Sequence, residues 1–145
     1  MIRGDSISLL SLSASVFAEE TRYASITHTN VNYINQGYCS YSFILDNGGN
    51  HMMSDNAGFG PLELTLRMKD KDGKVLGDEI MKIEPFGDIG ALRSMSSYLE
   101  TECADIGDFQ LIKAVEDQNG KKVEISVGLF EPMSPELAKV SIKGN

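Results

Sequence analysis

Apolar and polar residues alternate with a period of two along most of this chain after Glu20. The clearest run has Leu62, Leu64, Leu66 and Met68 on one side and Glu63, Thr65, Arg67 and Lys69 on the other. Successive side chains of a β-strand point to opposite faces, so this run predicts a strand with one buried and one solvated face. An amphipathic helix would instead need apolar residues at every third or fourth position. The alternation therefore predicts a mainly β chain.

The same pattern recurs on both sides of that strand. We predict strands over Arg22–Ile34 and Cys39–Leu45, a hairpin over Leu62–Ile83 with a bulge at Gly77, and a hairpin over Phe109–Leu129 that turns at Asn119-Gly120. Asn-Gly favours the positive φ values of tight hairpin turns. We expect residues 88–101 to be mainly extended, with a helical turn at their start, and residues 137–142 to form a short strand or a helical turn.

These elements together predict the fold class. About seven short strands, closely spaced turns and no long amphipathic helix indicate an all-β protein, an antiparallel β-sandwich of the fibronectin type III or immunoglobulin-like kind. The length of 145 residues is that of one ordinary domain. We predict a single domain over residues 19–145.

Residues 1–18 have the features of a secretory signal peptide. Arg3 precedes a mildly apolar run over Ile7–Phe17, and a small-residue cleavage site ends at Ala18, just before an acidic pair. Asp5 and interleaved serines depart from the ideal pattern, and the alternative is a first β-strand. No other segment approaches the ~18 to 20 apolar residues of a membrane span, so export predicts a soluble secreted or periplasmic protein.

The two cysteines, Cys39 and Cys103, lie far apart in the sequence, with no Cys-x-x-Cys pair and no histidine at ligand spacing. That spacing excludes a zinc site. An even number of cysteines in an exported chain predicts one disulfide bond. The alternative is two buried free thiols in a cytosolic domain.

Charge and missing motifs exclude several functions. Lysine and arginine total 13 against 21 aspartate and glutamate, a formal charge of -8, so a nucleic acid backbone would be repelled. The chain has two histidines and no Gly-x-Ser-x-Gly sequence, which argues against a hydrolase. Asp70-Lys71-Asp72-Gly73 begins like a calcium loop, but Met81 stands where the bidentate glutamate belongs. We predict a non-enzymatic protein without metal or cofactor.

The long polar loop Asp46–Gly60 contains one apolar group, formed by His51, Met52 and Met53 with Phe59. Such residues form either a packed cap over one end of a sandwich or an adaptable contact surface. We take these four residues as candidate partner-binding residues. A loop this rich in glycine and asparagine could also act as a hinge, which predicts a homodimer formed by strand exchange. Tyrosines on exposed sheet faces are further candidate anchors.

Three segments carry a resemblance to a known family: Glu19–Thr27, Gly37–Phe43 and Ser96–Cys103. With the acidic charge and the paired cysteines, they resemble the interleukin receptor mimic protein A family, small secreted bacterial proteins with a fibronectin type III-like sandwich. The resemblance extends from about Glu19 to the end of the chain. It implies a binding module that engages host cytokines of the helical-bundle type and modulates immune signalling.

One feature of host cytokine receptors of this fold is missing. They carry a Trp-Ser-x-Trp-Ser sequence, whereas this chain has no tryptophan, so mimicry would be of shape and surface. A function of another class is also open, that of a periplasmic or surface structural protein or adhesin accessory. Such a protein would pair with its partner through a sheet edge.

Overall fold

The computed structural model of the protein describes residues 20–48, 58–88 and 92–144. Nine β-strands form within these ranges: β1 (Ala24–Asn35), β2 (Tyr38–Asp46), β3 (Leu62–Lys69), β4 (Val75–Ile83), β5 (Ser94–Glu102), β6 (Asp108–Gln118), β7 (Lys121–Ile125), β8 (Phe130–Pro132) and β9 (Lys139–Ile142). They build two sheets. The first has the order β5-β2-β1-β8, and the second has the order β4-β3-β6-β7, with β9 beside β6.

The predicted all-β sandwich is confirmed, but its sheets are not purely antiparallel. β8 pairs parallel to β1, and β9 pairs parallel to β6. Parallel neighbours arise because the chain crosses from one sheet to the other between β8 and β9 instead of turning back as a hairpin. The prediction of a strand through Leu129 is wrong for Val127–Leu129, which form a 3-10 turn capped by the hydroxyl of Ser126.

The predicted hairpins are confirmed at their turns. Asn119 and Gly120 have φ values of 57° and 87°, the left-handed pair that joins β6 to β7. The expected bulge near Gly77 appears as a register shift, since Met68 pairs with Gly77 while Lys69 pairs with Val75. The segment expected to be mainly extended contains β5, and the last predicted element is the strand β9.

The disulfide is present, so the alternative of two free thiols is wrong. Cys39 at the start of β2 bonds to Cys103, just after β5, with the two Cα atoms 4.9 Å apart. The backbone N–H of Cys103 also donates to the carbonyl of Gly37. The bond therefore ties together the ends of two neighbouring strands of the first sheet.

His28 lies within the aromatic part of the core. Its ring centroid is 4.8 Å from that of Phe109 and 5.1 Å from that of Phe43. The backbone N–H of Ala138 donates to Nδ1, so the proton of the neutral ring sits on Nε2. Nε2 is buried and has no hydrogen-bond partner within the described ranges. Burial lowers the pKa of His28 below its ordinary 6.5.

We expect the free energy of unfolding to fall as the pH drops below about 6.5, because the unfolded chain then binds a proton that folded His28 resists. This contribution is complete above the unfolded-state pKa and is lost as the pH falls towards the folded-state pKa. Urea unfolding between about pH 7.5 and 5 measures it. The variant His28→Leu should flatten the slope of stability against pH. An unchanged slope in His28→Leu would contradict the assignment.

Candidate functional site

Phe59, one of the predicted partner contacts, lies inside the protein. Its side chain is 1% exposed, and its ring stacks 5.6 Å from Phe86 and 5.4 Å from Phe130. Backbone hydrogen bonds in both directions join Phe59 to Phe86. Phe59 thus matches the packed cap, the first of the two interpretations of that loop, and a partner has no access to its ring in this conformation. His51, Met52 and Met53 lie outside the described residues, and their role stays a prediction.

An ion-pair network surrounds Phe59. The guanidinium of Arg22 donates to both carboxylate oxygens of Glu20 and both of Glu116, and also to the carbonyl of Gly58. It lies 4.6 Å from the centre of the Phe59 ring, a cation–π contact. The network therefore joins the start of the described chain to β6 and to the end of the polar loop.

The carboxylate of Glu116 is almost fully buried, with 4% of its side chain exposed. Burial opposes its ionisation, but hydrogen bonds from Arg22, Gln118 and the Gly60 backbone outweigh this effect and lower its pKa. The hydrogen bond from Arg22 also lowers the pKa of Glu20. Both carboxylates are therefore charged at neutral pH, and Arg22 compensates them.

The two ends of the polar loop are held close to each other. The amide of Asn47 donates to the carbonyl of Gly87, and the backbone N–H of Gly58 donates to the carboxylate of Asp88. Gly87 has a φ of 95°, and a Cβ there would lie 2.5 Å from the Asn47 amide nitrogen, so only glycine fits. These contacts join both ends of the polar loop to the segment that follows β4.

The outer face of the first sheet has an unusual composition. Its outward positions follow from the strand register and are Ser25, Thr27, Asn30, Asn32, Tyr38, Ser40, Ser42, Ile44, Asp46, Ser94, Ser96, Tyr98, Glu100, Glu102 and Glu131. We call this set the tyrosine–serine face. None of its members is a lysine or an arginine. At its border, Arg93, just before β5, donates to the carboxylate of Asp46 and pairs with it.

Large side chains stand exposed among the small ones. Tyr98 is 58% exposed and Tyr38 is 47% exposed, and Ile44 is also exposed. Tyr98 lies directly opposite Ser42, and Ser96 directly opposite Ile44. Tyr98 and Ile44 are therefore each flanked by a small hydroxyl residue, whereas Tyr38 lies opposite Glu102.

The outer face of the second sheet carries many charges, of both signs. Its outward positions are Glu63, Thr65, Arg67, Lys69, Asp78, Ile80, Lys82, Gln110, Lys113, Val115, Asp117, Lys122 and Glu124. Ion pairs link Arg67 to Asp78 and Lys122 to Glu63 across neighbouring strands. Interspersed charges of both signs are typical of an ordinary solvated surface.

The tyrosine–serine face suits protein recognition better than chemistry. Tyrosine supplies a large rigid contact at low entropic cost, and serine and asparagine supply adaptable hydrogen bonds, the composition found in antibody binding loops. Within the described ranges, no helix has the length and apolar character needed to cross a bilayer, and no three His, Cys, Asp or Glu residues are grouped to hold a metal ion.

Comparison with known proteins identifies the family. The family model described as IrmA, interleukin receptor mimic protein A, matches residues 24–132. The chain belongs to the interleukin receptor mimic protein A family. A solved structure of IrmA from Escherichia coli is 40% identical and superposes with a TM-score of 0.70, covering 80% of this chain and 92% of that chain. Comparison with curated proteins gave no match.

The interleukin receptor mimic protein A match runs from the first residue of β1 to the last residue of β8. It therefore includes both cysteines, the Glu116 end of the ion-pair network and every strand of the tyrosine–serine face. β9 and Glu20 lie outside it. The resemblance inferred from the sequence is confirmed at the level of the family.

Proposed function

We propose that this chain is an exported, non-enzymatic protein that binds host helical cytokines through its tyrosine–serine face and so modulates immune signalling. The family name supports the class of ligand. The observation that carries the choice of face is the contrast between the two sheets. The outer strand positions of one sheet are conventionally charged, whereas those of the other are mainly serine, asparagine and tyrosine and include no lysine or arginine.

Export is part of the proposal. The Cys39–Cys103 bond suits an oxidising compartment, such as the periplasm or the medium, better than the cytosol. The signal peptide predicted over residues 1–18 lies outside the described ranges and stays a prediction, as does the homodimer formed by strand exchange through the Asp46–Gly60 loop.

The charge of the chain gives the proposed interface an expected kinetic signature. With a net charge of -8 and with Glu100, Glu102 and Glu131 on the tyrosine–serine face, the protein attracts a partner that carries a basic patch. Salt screens this attraction over about 8 to 10 Å at physiological ionic strength. Raising the salt concentration is therefore expected to slow association far more than it changes dissociation.

Tyr98→Ala is expected to weaken cytokine binding by about 1 to 2 kcal/mol, roughly tenfold in Kd, because it removes a large exposed anchor of the face. Tyr33→Ala is the matched control. Tyr33 is 67% exposed and belongs to the same sheet, but it lies opposite Cys39 and so points to the other side. Surface plasmon resonance of both variants against a panel of interleukins makes the measurement.

Two results would count against the proposal. Absence of binding to every interleukin at micromolar concentration would reject the cytokine function. Equal effects of Tyr98→Ala and Tyr33→Ala would reject this face as the site.

A second candidate function is that of a surface or assembly accessory pairing through a sheet edge. β8 covers the outer edge of β1 only at Ala24–Ile26, and no other described strand pairs with that edge. An open edge of this kind can accept a strand from a partner. Edge pairing would survive Tyr98→Ala, so the same variant separates the two functions.

A further inference from the structure

A trough of about 940 Å³ runs along the border where the edges of the two sheets meet. β4 is the edge strand of the second sheet, and β5 is the edge strand of the first. The exposed side chains of Ile80 from β4 and Tyr98 from β5 both line the trough, together with Pro61, Pro85 and Met95. Because Tyr98 also belongs to the tyrosine–serine face, the trough continues the proposed interface around the edge of the sandwich.

Hydrogen bonds join the two strands that border the trough. The hydroxyl of Ser97 donates to the backbone carbonyl of Lys82, and the hydroxyl of Thr101 donates to the carboxylate of Glu79. These bonds fix the spacing of β4 and β5 before any partner arrives. A preformed groove saves the partner the entropic cost of ordering it.

Charged residues stand on both margins of the trough. On the β5 side stands Glu100, and on the β4 side stand Lys82 and Glu84, with Glu63 and Lys122 beyond them. Lys122 pairs with Glu63, an exposed contact of small energetic value. Across the described part of the chain, the ion pairs include neither Glu100 nor Lys82. Both charges are therefore available to a partner.

These features select an α-helix over an extended strand. A strand entering between β4 and β5 would have to displace the Ser97 hydroxyl from the Lys82 carbonyl. A helix satisfies its own backbone hydrogen bonds and presents only side chains to a groove. Its apolar stripe would lie against Ile80 and Tyr98.

We infer that the trough between β4 and β5 receives one amphipathic helix of the cytokine, with a basic residue facing Glu100 and an acidic residue facing Lys82. This inference rests on the proposed function and specifies the element that is recognised. Because Glu100 and Lys82 stand on opposite margins, they favour one rotation of the helix about its own axis, which provides specificity as well as affinity.

Charge reversal on either margin tests the inference. Glu100→Lys and Lys82→Glu are each expected to weaken binding of the responding interleukin about tenfold or more, because each places like charges against one flank of the helix. Glu136→Lys and Lys139→Glu are the matched controls, since both residues are exposed and lie at the opposite border of the sandwich, next to β8 and in β9. These controls should change Kd by less than about threefold.

Two substitutions of apolar residues test the apolar lining of the trough. Ile80→Ala is expected to weaken binding about three- to tenfold, whereas Val75→Ala is expected to have no effect. Ile80 and Val75 belong to the same strand and are 57% and 51% exposed, but only Ile80 lines the trough. Thermal unfolding of each variant confirms that the fold is intact.

The outcomes distinguish the two proposals. Binding that is weakened by Tyr98→Ala but unaffected by Glu100→Lys, Lys82→Glu and Ile80→Ala overturns the trough and leaves the cytokine function standing. Failure of every interleukin in the panel to bind overturns both.

Discussion

Replacing Arg22 with alanine is expected to lower the free energy of unfolding by about 3 to 5 kcal/mol, the usual cost of removing one partner of a buried ion pair. The variant leaves the carboxylate of Glu116 buried, with only Gly60 and Gln118 left to donate to it. The bonds to Glu20 and to the Gly58 carbonyl are lost as well. Urea unfolding of the wild type and the variant at pH 7 measures the difference.

Arg67→Ala is the matched control for this effect. Arg67 also forms a two-pronged ion pair, with Asp78, but both side chains are exposed and solvent screens them. Its loss should cost less than about 1 kcal/mol. The double variant Arg22→Met/Glu116→Leu should recover part of the stability that Arg22→Ala loses, because it removes the uncompensated charge. Equal costs for Arg22→Ala and Arg67→Ala would contradict the role given to the network.

Replacing both cysteines with alanine is expected to lower the free energy of unfolding by about 4 kcal/mol, because the bond closes a long loop in the unfolded chain. The sequence separation that enters this value is 64 residues. Unfolding by urea should show the loss as a lower midpoint.

Reduction of the wild type offers an independent check on the disulfide. The reduced protein should unfold at nearly the same urea concentration as the double variant. Since the bond joins the ends of β2 and β5, which carry Tyr38 and Tyr98, reduction should also weaken cytokine binding. Identical unfolding midpoints for the oxidised and reduced proteins would show that the bond contributes little to stability.

The strands could be predicted where burial alone decides the pattern. In β3, Leu62 to Met68 alternate strictly because one face meets the core and the other meets water, and every predicted side is correct. β8 was not predicted, because a three-residue strand that ends in Pro132 leaves no periodic signal. Its parallel pairing with β1 depends on residues far apart in the chain, which a local pattern does not record.

The candidate site also combines features that the local sequence indicates with features that only the fold creates. Phe59 was interpreted as a surface anchor or a packed cap from its glycine-rich surroundings, but its burial depends on Phe86 and Phe130, which the fold brings to it. Nothing near Arg22 in the sequence indicates Glu116, 94 positions later. Only the joint arrangement of β1, β2 and β5 shows that their outward residues form the tyrosine–serine face.

Hydroxyl-radical footprinting of tyrosine side chains, with and without the interleukin that binds most tightly, tests the central claim most directly. It reads the solvent accessibility of Tyr38, Tyr98 and Tyr33 in one experiment, and all three are exposed in the free protein. We predict that Tyr38 and Tyr98 react several-fold more slowly in the complex, while Tyr33 reacts at the same rate. Unchanged rates at Tyr38 and Tyr98 in a saturated complex would contradict binding through the tyrosine–serine face.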